Sequence, residues 1–252
     1  MEEFERALNR IEPKVQRWLS FLLFGKKIEV RGAQNLVREG PNIIIGNHCG
    51  AAKDVAVILR IRPRMIYFTA NKRIFSREGL DGLVEKHLRR HLKDFGPMLS
   101  SMLRPLKVRL IDFVTGNIAR VGTIPVALEA SKREAMRFCE EYLEKGRAIV
   151  TLQGRGRVHP DAPHPYVSAF KRGAAILAYV LYKEHGIVVP VTPLAIFGTH
   201  KAWVTPGTIK VNVGGPMNII PYLSDDFSAS VEAFRSALEE RVKALFLESI
   251  RS

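Results

Sequence analysis

Asn47-His48-Cys49-Gly50-Ala51-Ala52-Lys53-Asp54 sets an imidazole and a carboxylate a short distance apart, between an apolar run and a helical period. A carboxylate that fixes the tautomer of an imidazole and raises its basicity makes a general base able to take a proton from a hydroxyl. The same residues also read as a loop imidazole and a helix cap, because a carboxylate is favoured at a helix N-terminus by the dipole. Downstream, Gln153-Gly154-Arg155-Gly156-Arg157 places two guanidinium forks between glycines. Forks and backbone N–H groups of this kind converge on an anion, typically phosphate, or else form a basic surface loop. Lys171 and Arg172 open the helix that follows.

Both segments need elements that present them. Pro41-Asn-Ile-Ile-Ile-Gly46 is an unbroken apolar run of the kind buried on both faces, and Arg147-Ala-Ile-Val-Thr-Leu152 is a second. Further strands are predicted at 28–32, 64–69, 186–191 and 208–213, the last at a sheet edge. Helical periods fall at roughly 54–60, 80–94, 130–145, 171–184 and 228–250. This alternation predicts one α/β domain with a largely parallel central sheet flanked by helices. His48 and Gln153 then follow strand carboxyl ends, where the active groups of open α/β sheets gather. An amphipathic helix is expected over 3–24, on Phe4, Ala7, Leu8, Ile11, Val15, Trp18, Leu19 and Leu22. Its aromatic end precedes Lys26-Lys27, which suits either a membrane interface or the protein's own core. The expected division is 1–27 for this helix and 28–252 for the α/β domain.

The chain has 252 residues, with 39 Lys+Arg against 25 Asp+Glu and a net charge of +14. Between Arg60 and Arg120, 14 basic residues face 5 acidic ones. Such a surface attracts an anionic bilayer or nucleic acid. Interleaved stacking aromatics and nucleic-acid modules are absent from the sequence, so nucleic acid is not the expected partner. The apolar run Trp18–Phe24 is well short of the roughly 18 residues a spanning helix needs. No secretory leader is expected from an opening of Met1-Glu2-Glu3. Two cysteines build no disulfide framework, and a reducing compartment is the default. His87 and His91 with Asp94 could ligate a metal, but among so many Arg and Lys they read as surface residues, and no metal site is expected. The basic, Met- and Leu-containing stretch 76–118 reads as a membrane-surface element or the wall of an acyl-chain channel.

Read as ordered blocks, the chain resembles the glycerolipid acyltransferases, the 1-acylglycerol-3-phosphate O-acyltransferase family. The matching segments are Gly40-Pro-Asn-Ile-Ile-Ile-Gly-Asn-His48, Gly122-Thr-Ile-Pro-Val126, Lys145–Gly154, Phe170–Leu177 and Val188–Thr192 with Gly198-Thr-His200, closing on Ile209–Pro216. The resemblance implies that His48 is the general base and Asp54 its orienting partner. It implies that the acceptor hydroxyl attacks the thioester of acyl-CoA or acyl-acyl-carrier protein with no other cofactor and no covalent enzyme intermediate, so that Cys49 is not a nucleophile. Asn47, Gln153, Gly154, Arg155, Arg157 and Lys171 are the implied substrate-binding residues. Three positions depart from the family pattern. Five residues rather than four separate His48 from Asp54, Leu128 stands where the family's phosphate-binding Arg aligns, and Gln153 replaces a Glu.

The expected activity is therefore acyl transfer to a lysophospholipid or related lipid acceptor, by a protein held peripherally on the cytoplasmic side of an anionic membrane. The alternative is a catalytically impaired relative that binds lipid or acyl carriers.

Overall fold

Strand β2 (Asn42–Asn47) is buried along its whole length, as its unbroken apolar run predicts. Ile43, Ile44 and Ile45 pack away from water on both faces, which requires a strand on either side and cover above and below. In the computed structural model that describes residues 21–71, 76–82, 85, 104–117, 123–126, 132–154, 156–201 and 205–251, β2 lies between β5 (Ala148–Gln153) and β6 (Val191–Phe197), parallel to both. The chain forms an α/β domain whose described residues group into two compact units, 21–67 with 136–251 and 68–135.

The larger unit carries strands in the order β1-β7-β6-β2-β5, where β1 is Lys26–Arg31 and β7 is Gly207–Val213. β1 runs parallel to β7, whereas β6 and β7 are antiparallel, so the sheet is largely but not wholly parallel. β3 is Ile66–Asn71, and in the smaller unit β4 (Thr123–Val126) runs parallel to its residues 68–71. That unit also holds helix α2 (Arg104–Asn117), where Arg77 and Asp112 form an exposed ion pair. Helix α1 (Ala52–Ile61) follows β2, and α3 (Lys132–Glu144) leads towards β5. Helix α4 is Gly173–His185 and α5 is Phe227–Arg251.

α5 covers the sheet through Val231, Phe234, Leu238, Val242 and Leu245, at three- and four-residue steps and all buried, against β6, β7 and α4. Truncating Phe234 to Ala would cost roughly 3–5 kcal/mol, the usual loss for a buried ring.

Two strand expectations change. The run 186–191 is not the strand; β6 begins where that run ends. Pro193, which has no N–H for the ladder, lies inside β6. The antiparallel pairing with β7 starts one residue beyond it, at Leu194 opposite Val213, so the missing donor is never required on that side. β7 is not an edge strand either, because β1 covers it in the register Lys26–Gly207 through Arg31–Asn212. Of the expected N-terminal helix only the end is described: Phe21 and Leu22 are helical, Phe21 and Phe24 are exposed, and the chain turns into β1 through Gly25. Leu128, His87, His91 and Asp94 lie outside the described residues. No helix among the described residues is long and apolar enough to cross a membrane.

Candidate active site

Because β2 is parallel to β5 and β6, the carboxyl ends of all three open on one edge of the sheet. Asn47 is in register with Gln153, so the two expected segments leave the sheet side by side. His48 and Asp54 meet there: Nδ1 stands 2.8 Å from Asp54 Oδ2. Asp54 has no exposed surface, while the His48 side chain keeps 22 % of its own. A carboxylate that accepts from Nδ1 leaves the Nε2 lone pair free, which is the tautomer a base requires.

The extra residue in the spacing is absorbed in the turn. Ala51 adopts φ 51° and ψ −124°, the positive-φ conformation that is uncommon for a residue with a side chain. Ala51 rather than Asp54 is the cap of α1, and Asp54 is the third residue of its first turn. From there Asp54 Oδ2 also accepts from the Gly50 N–H at 2.7 Å, so one oxygen ties down both the imidazole and the turn. A glycine is needed at 50, since a Cβ there would come within 2.4 Å of Thr199 Oγ1 and 2.8 Å of Asp54 Oδ1. Lys53 N–H and Asp54 N–H close onto the carbonyls of Gly50 and Ala51. The amides of Ala51 and Ala52 have no acceptor among the described residues.

Asn47, expected against substrate, is fully buried and braces the strand end instead. Its Nδ2 donates to the Ile196 and Tyr166 carbonyls at 2.9 and 3.1 Å, and its Oδ1 accepts from the Ile196 N–H at 2.7 Å. Gln153 is likewise turned inward: Oε1 accepts from the Lys171 N–H at 3.2 Å, and Nε2 donates to Thr151 Oγ1. Glu239, one helix away in space, accepts from the neighbouring Phe170 N–H at 2.9 Å. Two side chains thus fix the backbone just before α4. Gly154 carries φ 118° and packs on the His48 carbonyl, with its own carbonyl 3.0 Å from His159 Nε2. Arg157 donates its N–H to that His48 carbonyl at 3.2 Å and, like Lys171, exposes its side chain. Arg155 lies outside the described residues.

Cys49 is buried, with Sγ 3.6 Å from Thr199 Oγ1. Burial and the charge of Asp54 push its thiol up to about 12, so it is not a thiolate at neutral pH. His200 is held below its ordinary value by burial and by Lys201 and Lys53. Among the described residues no group of three or more His, Cys, Asp and Glu is arranged to hold a metal.

Thr199 stands in the block Gly198-Thr-His200, whereas Tyr166, Glu239 and His159 support this site without having been singled out from sequence. Only Glu239 left a trace, in the four-residue spacings Arg235-Glu239-Lys243, and those reveal a helix face rather than the bond to Phe170.

No protein-family model matches the chain, and no curated protein is significantly similar to it in sequence. Among solved structures it is similar to the 1-acyl-sn-glycerophosphate (LPA) acyltransferase PlsC from Thermotoga maritima, at 21 % identity over 97 % of this chain and 81 % of that one, with a TM-score of 0.56. The fold of this chain is that of the acyltransferase structure.

Proposed function

We propose that the protein is an O-acyltransferase that moves a fatty acyl group from acyl-CoA or acyl-acyl-carrier protein to a hydroxyl of a lysophospholipid or related lipid. The observation that carries this reading is the 2.8 Å contact between Nδ1 of a partly exposed His48 and a fully buried Asp54. His48 Nε2 takes the acceptor's proton as the oxygen attacks the thioester carbonyl. Charge develops on the carbonyl oxygen, and the amides of Ala51 and Ala52 at the start of α1, without an acceptor among the described residues, are its donors. Collapse of the tetrahedral adduct expels the thiolate, which recovers the proton from the imidazolium. Asn47 and Gln153 act in this scheme as positioning residues, and Gly154, Arg157 and Lys171 meet the anionic substrate.

Attachment to the cytoplasmic face of an anionic membrane is supported by the net charge and by Phe21 and Phe24, 54 % and 75 % exposed beside Lys26 and Lys27. Replacing both phenylalanines with Ala should weaken sedimentation with anionic vesicles several-fold, since aromatic side chains anchor interfacial segments.

The deciding experiment is transfer from radiolabelled acyl-CoA and acyl-acyl-carrier protein to a panel of lysophosphatidic acid, other lysophospholipids and neutral alcohols. His48→Ala should lose about 10²–10⁴-fold in rate, the span of a general base. A folded wild-type protein that binds the carriers and forms no product with any acceptor would replace this reading by that of a binding-only relative.

A further inference from the structure

The sheet brings a second set of strand ends to the edge where His48 stands. β2 is parallel to β6, β6 is antiparallel to β7, and β1 is parallel to β7. The amino ends of β1 and β7 therefore lie at the same edge as the carboxyl ends of β2 and β6. Lys26, in register with Gly207, opens on that edge. Its Nζ donates to the Thr205 carbonyl, and Lys53 Nζ, from the first turn of α1, donates to the Lys201 carbonyl. Two ammonium groups from separate elements are thus pinned to carbonyls of the connection that follows β6. Lys201 adds a third, its Nζ 5.9 Å from the centre of the Phe197 ring. Burial and the charge of Lys26 hold Lys53 below its ordinary value, as happens when like charges are brought together. Among the described residues no carboxylate forms an ion pair with Lys53 or Lys201, whereas Lys27 has Glu29 at 2.8 Å. Asp54, whose charge also bears on Lys53, is committed to His48. The turn that carries the exposed rings of Phe21 and Phe24 leads straight into Lys26, whose N–H closes on the Leu23 carbonyl at 3.0 Å.

We propose that Lys26, Lys53 and Lys201 form a docking site for the phosphate headgroups of an anionic bilayer, on the same edge of the sheet as His48. Ammonium groups gathered beside two exposed aromatic rings match such a surface, with the rings at headgroup level and the charges on the phosphates. The inference rests on the reading of membrane attachment, and it goes further by naming the headgroup contacts and turning the edge that carries His48 towards the bilayer. A lipid acceptor then approaches the base from the surface on which the protein sits.

The experiment is co-sedimentation, at fixed ionic strength, with vesicles of phosphatidylglycerol mixed into phosphatidylcholine. Lys26→Gln combined with Lys53→Gln should weaken binding about tenfold or more, since a lysine near an anionic surface is worth roughly fivefold. Lys145→Gln combined with Lys183→Gln is the charge-matched control. It removes two exposed cations near the ends of α3 and α4, at the opposite edge, and should cost less than about threefold. Lys26→Arg combined with Lys53→Arg keeps the charge and should bind as wild type does. Equal losses in the two glutamine pairs would overturn the proposal and leave attachment to the net charge alone. Wild-type protein that fails to sediment would overturn the proposal and membrane attachment together. Release of bound wild type by coenzyme A at matched ionic strength would overturn it in favour of an acyl-carrier site. Sedimentation requires no turnover, so a failure of acyl transfer leaves this outcome unaffected.

Discussion

Among the described residues two carboxylates are withdrawn from water, Asp54 and Glu239, and they are treated in opposite ways. Glu239 is fully compensated: Arg235 and Lys243, one turn to either side on α5, pair with it, and the Phe170 N–H donates to it. Burial pushes its carboxyl up, but the bonds from Lys243, the Phe170 amide and Arg235 together outweigh burial and hold it below its ordinary value. Among the described residues no cation is hydrogen-bonded to Asp54; its Oδ2 takes one imidazole and one amide, and its Oδ1 is buried without a partner. A buried anion so thinly satisfied gains when the neighbouring imidazole acquires a proton, and an anion already neutralised gains nothing. The closed carboxylate holds an element in place, while in the proposed reaction the open one faces the imidazolium formed on His48.

The sharpest way to break this contrast is to remove each charge at constant shape. Asp54→Asn should cut acyl transfer by about 10³-fold or more, because an amide NH₂ facing Nδ1 favours the wrong tautomer. Glu239→Gln should leave transfer per folded molecule within about threefold and lower stability by roughly 1–3 kcal/mol, since it strands two cations and weakens the acceptor for Phe170. In a chain of this size that is a drop of several degrees in Tm, read by calorimetry. Equal activity losses in the two variants would erase the distinction.

A pH series sharpens it further. A carboxyl whose folded value is depressed contributes stability above its unfolded value of about 4.5, and loses it as pH falls through the folded value. The Tm gap between wild type and Glu239→Gln should therefore be full at about pH 6 and shrink steadily below about pH 4.5. A smaller effect is expected at Gln153. Gln153→Glu retains an acceptor for the Lys171 N–H, so transfer should change by less than about threefold, and a larger change would mean that this side chain touches substrate. Least of all should Cys49 matter. With its thiol at about 12, native protein at pH 8 should resist alkylation by iodoacetamide, and Cys49→Ala should keep its activity.

Much of the larger unit was legible because burial writes itself into apolar runs. β2 and β5 are continuous apolar stretches for the physical reason that both their faces are covered, and α5 declares its buried stripe by period. The segments 186–191 and 191–197 are both largely apolar, so apolar character alone does not place the start of β6. At the site, residue types pointed to His48 and Asp54, but a count of intervening residues carries no distance. The positive φ of Ala51 that closes the extra residue has no sequence signature, since alanine is neutral about turns. Nor does an amide reveal which way it faces: Asn47 and Gln153 look like surface ligands in sequence and are backbone braces in the fold.

The outermost strand has a consequence for how the chain is made. β1 leaves the ribosome early, yet its neighbour in the sheet, β7, lies about 180 residues downstream. At a synthesis rate of about 5–20 residues per second, β1 spends roughly 10–40 s with its hydrogen-bonding edge unmatched. Its sequence, Lys-Lys-Ile-Glu-Val-Arg, alternates charge with only two apolar side chains, which makes it a poor template for another chain in that interval. The sheet is thus closed last by the strand that emerged first, and the charges along it protect the nascent protein until that closure.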